Sequence, residues 1–179
     1  YEISKLESER LFLAAAKQNN FELVILRPTN VFGEFHPNNF LLNLMRHLKN
    51  HKPFLYSENA VVNYVYVKDV TNAIIYFIKN SVPERIYNIG KGMKLKGFVC
   101  FVYELLSLKP NTYKLPKIII RFLELVNYFG ISSFKNILRS ISNVVKYDDD
   151  KIQNIVGYKY GIKEGLKRTF DYYKISGKL

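Results

Sequence analysis

The first third of this chain orders a helix, a short apolar strand and a proline-containing loop ending in glycine, and that order limits the fold more than any other feature. Leu6, Glu7, Arg10, Leu11, Ala14, Ala15 and Lys17 recur at helical spacing and predict one amphipathic helix, closed by Asn19-Asn20 where asparagine tolerates a left-handed cap. Ser4-Lys5-Leu6-Glu7 matches a capping box, but a helix starting at Ser4 would leave Tyr1 outside, and Tyr1 must be helical to share a face with Lys5. Leu23 to Leu26 is apolar and partly β-branched, as a strand buried on both faces should be, and Pro28 to Asn39 is rich in turn formers.

The alternation continues along the chain. Helix is predicted over Phe40 to Asn50, a second strand over Val61 to Val67, a helix from Asp69 to Lys79 with Asp69 as its N-terminal cap, and a third strand over Ile86 to Ile89. Gly90-Lys91-Gly92 then reads as a tight turn, because the rest of a phosphate-loop signature is missing. Beyond it the periodicity is helical over Leu95 to Leu106, Pro116 to Phe129, Asp149 to Val156 and Ile162 to Tyr173. Strands alternating with helices mean an α/β sheet, here with a mostly helical lobe after it.

At 179 residues and 48% hydrophobic content the chain can bury one sizeable core. A single Cys100 forms no internal disulfide, and no leader pattern is visible, so a cytoplasmic, reducing compartment is expected. The longest apolar stretch, Ile118 to Phe134, carries Arg121 and Glu124 and falls short of the roughly 20 apolar residues of a membrane span. Net charge is +12, yet the lysines are spread singly along the chain and no nucleic-acid motif accompanies them. His36, His47 and His51 lack metal-ligand spacing with any second ligand type, so no metal is expected.

Tyr1 and Lys5 stand one helical turn apart, but so do the residues of Tyr64/Lys68, Tyr87/Lys91, Tyr113/Lys117 and Tyr147/Lys151, so the spacing alone decides nothing. Context separates the first pair from the rest. It is followed in order by Leu26-Arg27-Pro28-Thr29-Asn30-Val31-Phe32-Gly33, Asn63-Tyr64-Val65-Tyr66-Val67-Lys68-Asp69-Val70, Ile86-Tyr87-Asn88-Ile89-Gly90, and Gly157-Tyr158 with Lys163-Glu164-Gly165-Leu166. These blocks together resemble the extended short-chain dehydrogenase/reductase family, most closely its NAD-dependent epimerases and dehydratases.

The resemblance implies the later portion of a Rossmann-like parallel sheet plus a mostly helical substrate lobe, with the Gly-rich half lying before residue 1. Residues 1–106 would belong to the dinucleotide-binding domain interleaved with substrate-lobe segments, and 107–179 mainly to the substrate lobe. It implies that Tyr1 is the acid/base and Lys5 the cation that tunes it, both also touching NAD, with NADP as an alternative. Pro28 and Thr29 would face the nicotinamide, while Asn30, Asn39 and Phe40 would contact a nucleotide-sugar substrate. A homodimer is implied for the complete protein, and this chain by itself is expected to be inactive.

One position departs from the family pattern. Val62 stands where many of these enzymes carry an arginine that grips the substrate diphosphate, and guanidinium contacts are hard to replace. A reductase of a smaller carbonyl therefore stays open beside the nucleotide-sugar reading, as does a non-catalytic dinucleotide-binding or scaffolding remnant. Lys91 or Lys94 are the nearest candidates for restoring the charge.

Overall fold

The computed structural model describes residues 2–37, 39–82, 85–121 and 142–179. Tyr1 lies outside them, as does most of the Ile118 to Phe134 stretch and the latter part of the helix expected over Pro116 to Phe129.

Among the described residues seven strands form three small sheets. Strands β1 (Ile25–Pro28) and β5 (Ile86–Ile89) pair in parallel, with Ile25 opposite Ile86 and Pro28 opposite Ile89. Strand β4 (Val61–Tyr66) lies between β2 (Asn30–Phe32), to which it is parallel, and β6 (Lys91–Lys94), to which it is antiparallel. Strands β3 (Phe54–Tyr56) and β7 (Thr112–Lys114) make a separate parallel pair. Only Thr29 separates β1 from β2, and only Gly90 separates β5 from β6. The two chains that run side by side through β1 and β5 thus part at one level, where β4 enters between their continuations.

Among the described residues six helices surround these strands: α1 (Glu2–Asn19), α2 (Phe40–Lys49), α3 (Val67–Lys79), α4 (Leu95–Leu105), α5 (Asp150–Ile155) and α6 (Gly161–Ile175). Alternation along β4 divides the core, because successive side chains of a strand point to opposite faces. Tyr64 and Tyr66 join the larger cluster with Met45, Leu48, Phe98, Val99, Val102 and Leu166, whereas Val65 joins Ala73, Tyr87, Ile89 and Ile152 on the other side. Helices α4 and α6 pack on β4 over the first cluster, and α5 packs on β5 over the second.

Several sequence expectations shift. The first strand lies two residues later than Leu23 to Leu26, because its register is set by β5 rather than by its own apolar content. The stretch Pro28 to Asn39 is not all loop: Asn30–Phe32 is a strand, and Lys91–Lys94, expected as part of a turn, is another. Helix α3 begins at Val67 straight from β4 and has no side-chain cap, so Asp69 does not cap its own helix. Helix α1 closes as expected, with Asn20 at φ 52°, but it buries only Ala16, and Ile3, Leu11 and Phe12 face outward. No helix among the described residues is long and apolar enough to cross a membrane.

Candidate active site

Lys5, Glu9 and Leu13 recur at four-residue intervals and so share one face of α1. That face looks at β1. The Arg27 guanidinium donates from Nε to both Glu9 carboxylate oxygens at 2.9 and 3.2 Å, and from Nη2 to the second of them. This bidentate pair holds the Glu9 carboxyl below the usual carboxylate range through the hydrogen bonds and charge of Arg27, which outweigh the effect of burial. Leu13 and Arg27 also border an open cleft of about 570 Å³ with Ile86 and Asn88. Since the Arg27 guanidinium is already committed to Glu9, the cleft itself lacks an aimed cation from β1.

Pro28 ends β1 opposite Ile89, and Thr29 follows with its backbone N–H donating to the Ile89 carbonyl at 2.9 Å. The Thr29 hydroxyl is buried and has no hydrogen-bond partner among the described residues. It lies against Gly90, where a Cβ would stand 1.8 Å from Oγ1 and where φ is 141°. Only glycine suits that position, on both steric and backbone grounds. The Gly90 N–H donates to the Tyr158 hydroxyl at 2.8 Å, and that hydroxyl donates in turn to Asp149 Oδ2 at 2.8 Å. Gln153 Nε2 donates to the same carboxylate oxygen at 2.9 Å. Burial, reinforced by the Asp149 carboxylate, pushes the Tyr158 hydroxyl well above the usual phenol range.

Asn30 opens β2, and its amide donates to the Asn63 carbonyl at 3.2 Å. Asn63 is buried and clasps a third segment, donating to the Val145 carbonyl at 2.7 Å and accepting from the Tyr147 N–H at 3.3 Å. Asn39 occupies the N-cap of α2 without a side-chain cap bond. Phe40 begins that helix and stacks on Tyr64, which stacks on Phe98. Asn30 and Phe40 are thus joined through β4, since Asn30 pairs with Tyr64. Lys5 lies on α1 and is exposed.

Val62 faces Met93 across the β4–β6 ladder and packs on the larger core. Lys91 stands opposite Tyr64, and Lys94 stands opposite Val61. The residues sequence reasoning passed over are Asp149, Gln153 and Asn63. Gly157-Tyr158 carried a signal, as part of the family pattern, but nothing local connected Tyr158 to Gly90, which lies 68 positions away.

A sequence profile described as the NAD dependent epimerase/dehydratase family matches residues 1–90, half of this chain. Among curated proteins, the cattle (Bos taurus) protein named dTDP-D-glucose 4,6-dehydratase is 24% identical over 97% of this chain and 47% of its own length. Among solved structures, a UDP-glucose 4-epimerase from Thermotoga maritima, with UDP-glucose, superposes with a TM-score of 0.65 at 20% identity, covering 98% of this chain and 53% of its own. A dTDP-glucose 4,6-dehydratase from Bacillus anthracis, in complex with NAD, superposes with a TM-score of 0.66 at 18% identity, covering 99% of this chain and 53% of its own. The chain therefore spans about half the length of the proteins it matches, and the shared fold is a Rossmann-like α/β arrangement. With the family profile covering half of its length, from Tyr1 through the Gly90 turn, the chain belongs to the NAD-dependent epimerase/dehydratase family.

Proposed function

We propose that this chain supplies the acid–base half of an NAD-dependent epimerase or dehydratase acting on a nucleotide sugar. The observation that carries the reading is the family match over residues 1–90, which opens on Tyr1 and Lys5 and runs into Pro28-Thr29. The geometry supports it: the α1 face bearing Lys5 and Glu9 is tied by Arg27 to the strand that ends at Pro28. Ligands of open α/β sheets bind at such carboxyl ends of strands.

A free phenol ionises near about pH 10, so it is a poor base at neutral pH unless a cation stabilises the phenolate. Lys5, one turn along the helix from Tyr1, is that cation. Tyr1 takes the proton of a substrate hydroxyl when the alcohol is oxidised and returns it when the carbonyl is reduced. When bound, NAD supplies the hydride acceptor and donor. Thr29 fits such a group, because its buried hydroxyl has no partner among the described residues and a buried donor left unpaired is costly. Pro28 presents no N–H and lets the ring of a ligand approach without orphaning a donor. Asn30, Asn39 and Phe40 contact the substrate, the amides donating and accepting without adding charge. In this reading residues 1–106 belong mainly to the dinucleotide-binding domain and 107–179 to the substrate lobe, and the complete protein is a homodimer.

A second reading is favoured by one observation. The Val62–Met93 pair is apolar where a diphosphate clamp would need a cation, which suits a reductase of a smaller, less charged carbonyl. The two separate in one experiment on the complete protein. Interconversion of a nucleotide sugar with no net consumption of dinucleotide supports the epimerase or dehydratase, and stoichiometric consumption of added NADPH by a carbonyl supports the reductase. Tyr1→Phe should lower either activity by about a thousandfold while leaving cofactor binding within a few fold. Full turnover by that variant would remove Tyr1 from the mechanism.

A further inference from the structure

Asp149 occupies the N-cap of α5, the place where an aspartate ordinarily accepts a backbone N–H of its own helix, yet it makes no side-chain cap bond. Its buried carboxylate is committed elsewhere, to the Tyr158 hydroxyl at 2.8 Å and the Gln153 amide at 2.9 Å. The Tyr158 hydroxyl then accepts from the Gly90 N–H at 2.8 Å. Gly90 is the residue on which the Thr29 side chain rests, and it is also the hinge between β5 and β6. An aspartate that caps no backbone N–H of its local helix is thus connected, through one phenol and one backbone amide, to the buried Thr29 hydroxyl of the β1–β2 junction.

Fixing the Gly90 N–H has a specific consequence. The peptide before Gly90 carries the Ile89 carbonyl, which accepts from the Thr29 N–H at 2.9 Å. Tyr158 therefore pins one side of the same two-residue segment whose other side holds the Thr29 backbone. With Gly90 at φ 141°, a conformation with little intrinsic preference for staying put, that external hydrogen bond is what selects it. A structural tie would serve equally well anywhere along β5, but this one ends at Gly90, where an added Cβ would stand 1.8 Å from the Thr29 hydroxyl oxygen.

We propose that Tyr158 and Asp149 are positioning residues for the dinucleotide site, holding Gly90 so that the Thr29 hydroxyl is presented to the bound cofactor. The inference rests on the proposed NAD-dependent function and extends it to residues in the last part of the chain, outside the 1–90 region that carries the family profile. Neither residue touches the cofactor. Asp149 orients the Tyr158 hydroxyl, Tyr158 orients the Gly90 peptide, and the Gly90 peptide sets Thr29.

The test uses the complete protein and Tyr158→Phe, which keeps the ring and removes only the hydroxyl. Four quantities are read: the NAD dissociation constant, the hydrogen-exchange rate of the Gly90 amide, kcat at saturating cofactor, and the melting temperature. The expected result is a Kd raised about tenfold, the worth of one buried hydrogen bond, with Gly90 exchange accelerated and kcat at saturating cofactor within about twofold. Asp149→Asn, which keeps an acceptor for the phenol, should retain most of the affinity, and Asp149→Ala should not. Thr29→Val should weaken binding by a similar factor, and the double variant Thr29→Val/Tyr158→Phe should be no worse than either single one.

Unchanged Kd in Tyr158→Phe with a lowered melting temperature would mean that the network only stabilises the fold, and would overturn the proposal. Additive losses in the double variant would overturn it as well, because the two residues would then act separately. A wild-type protein that binds no dinucleotide would instead overturn the functional reading beneath it, an outcome read directly from the wild-type titration.

Discussion

The carboxylate of Asp69, in α3, accepts hydrogen bonds from the backbone N–H groups of Tyr160 at 3.0 Å and Gly161 at 2.8 Å, and so closes the N-terminus of α6 from a distance of more than ninety residues in sequence. Two orphan donors of one helix are thus satisfied by a side chain on another. The same helix presses Gly165 against the Tyr66 ring, where a Cβ would stand 2.6 Å from the ring carbon. The cap and the glycine together set how closely α6 lies on β4, the strand that also carries the Tyr64 platform beneath Phe40.

Asp69→Ala should therefore destabilise the protein by about 2–3 kcal/mol, because it removes charge-assisted hydrogen bonds and leaves two donors unpaired at a half-buried helix end. Asp69→Asn, which keeps an oxygen acceptor, should cost less than half of that. Urea denaturation followed by circular dichroism measures both. Equal losses for the two variants would mean that the carboxylate acts by charge on its surroundings and not as a cap.

Gly90→Ala should cost more than about 3 kcal/mol, since the added Cβ collides with Thr29 and φ 141° is strained for any L side chain. Pairing it with Thr29→Ala should recover part of the loss but not all. The Thr29 Oγ1 at 1.8 Å is removed, whereas the Thr29 Cβ at 2.8 Å and the backbone strain remain. A double-mutant cycle in denaturant gives the coupling directly, and a vanishing coupling would contradict the close approach.

Alkaline titration should show a late-ionising group of tyrosines that includes Tyr64, Tyr66 and Tyr158. Burial raises the hydroxyls of Tyr64, Tyr66 and Tyr158 well above the usual phenol range, with Glu34 adding to the effect on Tyr66 and Asp149 to that on Tyr158. Because their folded pKa values are raised, their contribution to stability is complete below about pH 10 and is lost as pH rises through the higher folded values. Absorbance at 295 nm should show a late component that rises together with loss of the native circular dichroism. Fourteen tyrosines ionising in one phase near their free value would contradict the burial of these three.

How much of this was legible in the sequence depended on how local each cause is. Helices α2 and α4 and strands β4 and β5 stand close to where apolar periodicity puts them, since each buries its own pattern. Strands β2, β3 and β7 have three residues each, too few for a period, and exist because β4 or one another supplies the hydrogen bonds. Asp69 looked like a local cap because aspartate at a helix start usually is one, and its true partner is set by tertiary packing. The Tyr1 and Lys5 spacing was visible only as one of five equivalent pairs, and the family blocks that follow it gave it meaning. Val62 was readable as a departure, but its apolar pairing with Met93 was not.

Tyr66→Phe should change the acid limb of stability through Glu34. The buried Tyr66 hydroxyl donates to both Glu34 carboxylate oxygens at 2.8 Å, and Lys68 lies 3.3 Å from one of them. Burial pushes the Glu34 carboxyl up, but hydrogen bonds from its own backbone N–H, from Tyr66 and from Lys68 outweigh it and leave the group below the usual carboxylate value. A carboxyl with a depressed folded pKa contributes stability that is present above its ordinary value of about 4.5 and is lost as pH falls through the lower folded value. Removing the Tyr66 hydroxyl raises the folded value toward the ordinary one, so the variant should lose stability mainly above pH 4.5, by about 1 kcal/mol, and should differ little from wild type below it. Denaturation free energies at pH 7 and at pH 3 decide the matter: a loss of the same size at both would mean that the Tyr66 hydroxyl stabilises the fold independently of the charge on Glu34.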